Sequence, residues 1–144
     1  MTTPRVEVAI TIRAARERVF DAWLDPDRLA RFLCAGATHV ACIEVDAREG
    51  GQFRVVMASE RGEYDHRGHY LEIARPERLR FTWTSASTSG VATDVTVTFE
   101  ETDEGTRVTL VHVGLPPEAA AEHTRGWRSI LQKCRDAMRA GTPR

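Results

Sequence analysis

The feature that most constrains this chain is a long one-sided helix with only strands available to cover it. His123, Trp127, Ile130, Leu131, Cys134 and Met138 recur at the i, i+3, i+4 spacing of one helical face. Arg125, Arg128, Gln132, Lys133, Arg135 and Asp136 fill most of the remaining positions. The spacing predicts a helix over roughly 117–139, about 33 Å long at 1.5 Å per residue. Gly126 lies inside it, where a glycine costs ~1 kcal/mol relative to alanine. The expected gain is a close approach of the sheet beside Trp127.

The rest of the chain offers this helix a sheet. Val6, Val8, Ile10 and Ile12 alternate with polar residues as one face of a strand. In "AARERVFDAWLDPDRLARFL" the period becomes helical, through Val19, Phe20, Trp23 and Leu24 and then Leu29, Phe32 and Leu33. Pro26 would break a single helix, so two short helices in an elbow are predicted, with Asp25 capping the second. Six alternating segments follow between residues 37 and 113, separated by turns such as "AREGG" and "TDEG" and by a Ser/Thr/Gly loop over 84–90. Short turns between successive strands favour an antiparallel meander. The expected fold is therefore α+β: a curved antiparallel sheet wrapped around a long C-terminal helix. Such a sheet leaves a hollow beside the helix, the usual kind of place for a small ligand.

The 144 residues fit one domain, 1–144, and the 42% hydrophobic share supports a core. Nineteen of the 20 basic residues are arginine, with Lys133 the lone lysine, and the formal charge is −1. The arginines are scattered and matched by carboxylates, so no basic stripe points to nucleic acid. Cys34, Cys42 and Cys134 lie far apart without a C-x-x-C pair, which fits reduced thiols and no metal site. With no apolar run of membrane length and no signal-like opening, the expected setting is cytoplasmic, away from membranes. No nucleophile elbow, phosphate loop or dinucleotide motif is present, so no catalytic residue and no cofactor is assigned.

Strand parity places His112 on the inward face with Val108 and Leu110. It could be a core histidine satisfied by a backbone carbonyl or by Glu/Tyr across the sheet, a ligand contact, or a general base. His123 lies one turn before Trp127 on the same helical face, but no third ligand suggests a metal. His66 and His69 point to opposite faces of their strand and cannot chelate together. Tyr64, His66, Gly68 and Tyr70 share one parity, which a bulge near Gly68 would change. Trp83 and Trp127 combine packing with pocket lining, while Asp46 and Arg48 are read as an ion pair fixing the Gly50-Gly51 turn.

Several of these stretches carry a family resemblance. "ITIRAARERVFDAWLDPDRLARF", "VDAREGGQFRVVM", "GHYLEIARPERLRFTWTS", "GTRVTLVHVGL" and "HTRGWRSIL" resemble, in order, segments of the START/Bet v 1-like (SRPBCC) superfamily. Within it they resemble the group named after the activator of Hsp90 ATPase (AHSA1), over about residues 6 to 138. The resemblance implies a helix-grip fold with a cavity between sheet and helix. It departs at Phe32, where relatives often carry tryptophan, and this implies a reshaped pocket mouth. The Hsp90-activating proteins carry a further N-terminal domain, so the family name alone does not imply a chaperone partner.

The leading expectation is a binding protein for a small apolar or aromatic ligand, contacted by His112, Tyr64, Tyr70, Trp83, His123, Trp127 and Phe32. One alternative is a polyketide cyclase-like or hydratase-like enzyme using His112. Another is a chaperone-associated or stress-response interaction module, against which the Thr/Arg/Glu character of the outer sheet face argues. A homodimer through an edge strand or the elbow is left open.

Overall fold

The computed structural model describes residues 5–140. Strand β1 (Val6–Ile12) leads into helices α1 (Arg16–Ala22) and α2 (Pro26–Leu29). Strands β2 (His39–Val45), β3 (Gln52–Ser59), β4 (Gly62–Ala74), β5 (Arg78–Trp83), β6 (Thr93–Thr102) and β7 (Gly105–Val113) follow, and helix α3 (Ala120–Ala140) ends the described chain. The seven strands form one antiparallel sheet in the order β1-β7-β6-β5-β4-β3-β2. This is the curved sheet around a long helix, the helix-grip fold, that the sequence predicts.

The elbow forms for the expected reasons. Pro26 opens α2, and the Asp25 carboxylate accepts a bond from the Asp27 backbone N–H at 3.0 Å. The apolar side of the elbow then seals one end of the core, with Phe20 against Phe99 and Trp23 against Phe32. On α3, Trp127, Ile130, Leu131, Cys134 and Met138 are all buried, so the stripe faces the sheet as read.

The parity of β4 survives up to the point where it matters. The register shifts between Tyr70 and Glu72, beyond Gly68, so Tyr64, His66, Gly68 and Tyr70 stay on one face. Tyr70 and Gly68 are buried, His66 is half-buried and Tyr64 is exposed, because the start of β4 runs out past the helix. Gly68 is required by space: a Cβ there would overlap the Thr82 carbonyl oxygen and the Phe53 ring. Gly68→Ala is therefore expected to cost about 3 kcal/mol, at the upper end of overpacking changes, measurable by chemical denaturation.

The outer face is charged. Arg54 and Arg67 both pair with Asp65, Arg78 with Glu72 and Arg80 with Asp94. Such exposed pairs are screened by solvent and add little to stability, and they leave little apolar surface there. Arg48 pairs with Asp46 at 2.9 Å beside the Gly50-Gly51 turn, as the sequence suggests. Among the described residues no helix is long and apolar enough to cross a membrane.

Candidate functional site

His112 sits on β7 between Val6 of β1 and Val95 of β6, fully buried. Its two ring nitrogens are both engaged. The Trp127 indole N–H donates to Nδ1 at 2.9 Å, which requires Nδ1 to be bare and places the proton on Nε2. Nε2–H then donates to Thr93 Oγ1 at 2.7 Å, and the Thr93 hydroxyl donates to the Trp83 carbonyl at 2.6 Å. Burial, followed by the nearby His123, pushes the His112 pKa down to about 3, so the ring is neutral at physiological pH. The partners are a helix tryptophan and a strand threonine, in place of the expected carbonyl or Glu/Tyr. This relay ties α3 to β5, β6 and β7 and fixes the Trp127 ring.

Two other histidines have unused nitrogens. His123 Nδ1–H donates to the Ala119 carbonyl at 2.9 Å, leaving the lone pair on Nε2. Its ring meets that of His112 edge-on, with centroids 5.2 Å apart. His66 lies against Trp83, centroids 4.9 Å apart, and its buried Nδ1 makes no hydrogen bond. Burial holds the His66 pKa below its ordinary value, against the opposing pull of the Val55 and Tyr64 backbone. A proton on His123 would also disfavour protonation of His66.

Both line a hollow of about 90 Å³ with Ala35, Met57, Trp83, Gly126, Trp127 and Ile130. The hollow shares Ala35, Met57, His66, Ser87 and Glu122 with an open trough of about 800 Å³, where Tyr64 also lies. At the lip, Ser87 Oγ donates to Glu122 Oε1 at 3.3 Å, joining the 84–90 loop to α3. The opposite wall is the loop after α2. Lys133 Nζ donates to the carbonyls of Cys34 and Gly36, each at 2.7 Å, and Gly36 N–H donates to Ser129 Oγ at 2.9 Å. The lone lysine thus anchors the hollow's wall to the helix. On the far side of Trp83, a space of about 20 Å³ between Trp23, Leu33, Phe53, Tyr70 and Phe81 has room for about one water.

The site residues expected from sequence separate accordingly. Trp83, His123 and Trp127 meet in the hollow, Tyr64 stands in the trough, and Tyr70 borders the smaller space. His112 lies behind Trp127. Phe32 is buried against Trp23 and lines neither space, so the departure at this position reshapes the core under the elbow. His66 and Met57 were not among the expected contacts, although the parity of His66 with Gly68 and Tyr70 points inward. Gly126 also differs from expectation: the nearest neighbour of a Cβ placed there would be Ala35 Cβ at 3.4 Å, from the loop after α2. The glycine makes room for that loop and the hollow, and not for the sheet. Among the described residues no group of three or more His, Cys, Asp or Glu could hold a metal ion.

A curved antiparallel sheet gripping a long helix, with a histidine-rimmed hollow between them, defines a START/Bet v 1-like protein. The sequence profile of the family "Activator of Hsp90 ATPase homolog 1-like protein" matches residues 13–138. The chain belongs to this family. The AHSA1-like protein from Aeromonas hydrophila is 27% identical, with a TM-score of 0.80 over 96% of this chain and 94% of that one. Protein CV1439 from Chromobacterium violaceum is 26% identical, with a TM-score of 0.81 over 92% and 94%. A protein from Rhodobacter sphaeroides shares the fold at 19% identity, with a TM-score of 0.83 over 96% and 95%. A search of the curated proteins found no match.

Proposed function

We propose that this protein binds a small, flat, largely apolar molecule in the hollow between β3, β4 and α3, with part of the molecule extending into the trough. The observation that carries this reading is the pairing of an apolar hollow with two histidines, each with a ring nitrogen that lacks a protein partner. Unpaired polar groups beside apolar walls are the usual design of a small-ligand site. Trp83, Trp127, Met57 and Ile130 would cover the ring system, and His66 and His123 would take its polar end. Binding is favoured over His112-based catalysis because both nitrogens of His112 are already bonded within the core.

Native mass spectrometry of the purified protein, with extraction of whatever co-purifies and a thermal-shift screen of apolar aromatics, tests the reading. A stoichiometric small molecule or a saturable shift is expected. Gly126→Leu, whose side chain would occupy the hollow, should weaken binding at least about tenfold, the loss of roughly 1.4 kcal/mol of contact. Gly126→Ala, which adds only a methyl 3.4 Å from Ala35, should fold normally and serves as the control. Unchanged ligand binding by a folded Gly126→Leu protein, or no ligand at all in either assay, would overturn the proposal.

A further inference from the structure

Resting on the binding reading above, we infer that the ligand's polar end is an uncharged hydrogen-bond donor on an aromatic ring, a hydroxyl or a ring N–H, received by the Nε2 lone pair of His123. The argument is one of proton placement. The Ala119 carbonyl can only accept, so the His123 proton resides on Nδ1 and its Nε2 is left as an acceptor. His66 lines the same hollow, and its buried Nδ1 has no hydrogen-bond partner. Among the described residues no protein group bonds His123 Nε2. His112 contributes no competing donor, because its proton is given to Thr93.

The charge around the hollow favours the same class. No arginine or lysine lines it, and the nearest charged group is the Glu122 carboxylate at the lip. Arg61 and Glu60 belong to the outer trough. A carboxylate or phosphate in the hollow would face the His123 lone pair and an anion, with no cation to offset its lost hydration. A donor satisfies His123, and an ether or N-methyl group of the same shape leaves it unpaired.

Matched probes test this. Calorimetric or ligand-observed NMR titrations at pH 7.5 would compare 2-naphthol with 2-methoxynaphthalene, and indole with 1-methylindole, with 2-naphthoate as the anion. The donor of each pair should bind at least about tenfold more tightly than its methylated partner and than the anion. In His123→Phe the preference should shrink to about threefold or less while the methylated probes bind at least as well. Equal affinity within each pair, or tightest binding of 2-naphthoate, would overturn the donor rule and leave the binding reading standing. Failure of every probe to bind the wild-type protein would overturn both.

Discussion

Trp127→Ala should be the most damaging single substitution in this protein, costing about 4–8 kcal/mol. Truncating a buried large aromatic costs roughly 3–5 kcal/mol through lost transfer energy and the cavity left behind. Trp127 is 2% exposed and its ring lies 4.9 Å from Trp83. The variant also strands His112 Nδ1, and an unsatisfied buried acceptor adds about 1–3 kcal/mol. A total of this size is a large share of the 5–15 kcal/mol that holds an ordinary domain together. Trp127→Phe weights the second contribution, because it keeps a six-membered ring in the core while removing the N–H along with part of the indole. Urea denaturation should show a loss of about 1–3 kcal/mol for the phenylalanine variant. A Trp127→Phe protein as stable as wild type would mean that the indole does not support His112 as described.

The second large effect is on pH dependence. Unfolded, His112 takes a proton near pH 6.5, whereas folded it resists protonation down to about pH 3. Between these values the unfolded chain binds the extra proton, so stability is full above pH 6.5 and falls as the pH is lowered. His112 alone should remove about 2 kcal/mol between pH 7.5 and pH 5. His66 is shifted the same way, by burial, and adds to the slope. The three carboxyls held by arginines, Asp21, Asp65 and Glu72, do not explain a loss in this window. Asp21 is held low by the hydrogen bond from Arg75, and Glu72 by the one from Arg78. At Asp65 burial opposes the shift, but Arg67 and Arg54 together outweigh it. These groups lose their pairing only at more acid pH, as each falls through its lowered pKa. Denaturation at a series of pH values should show the early loss in wild type. In His112→Phe the slope should flatten, although its stability at pH 7.5 is lower because the Trp127 N–H is left unpaired.

Much of this architecture is legible in the sequence because it is periodic. Alternation gives the strands, the three-and-four spacing gives α3, and the Asp25-Pro26 pair gives the elbow. The profile match over residues 13–138 agrees with the resemblance carried by segments such as Asp46–Phe53 and Gly68–Trp83. Periodicity tells which way a side chain faces and is silent about what it meets. His112 reads as inward, yet its fate is decided by Thr93, 19 residues away, and by Trp127, 15 residues away on another element. The same limit hides His66. Its place in the site depends on the register of β4 against β3 and on Trp83 arriving from β5. Gly126 shows the converse: a costly residue flags a close approach, but only the packed chain shows that the approaching group is Ala35. Lys133 carries no signal at all until the loop after α2 folds onto it.

The central claim is a division of labour among the histidines: His112 is sealed into the core, while His123, beside His66, offers a lone pair to a ligand. Long-range proton–nitrogen NMR of the imidazole rings reads this directly, since it reports the tautomer of each histidine. At pH 7.5 His112 should appear as the neutral Nε2–H form, and His123 as the Nδ1–H form. Adding 2-naphthol should shift the His123 Nε2 signal and leave His112 unchanged. A His112 ring that moves on ligand addition while His123 stays still would contradict the account.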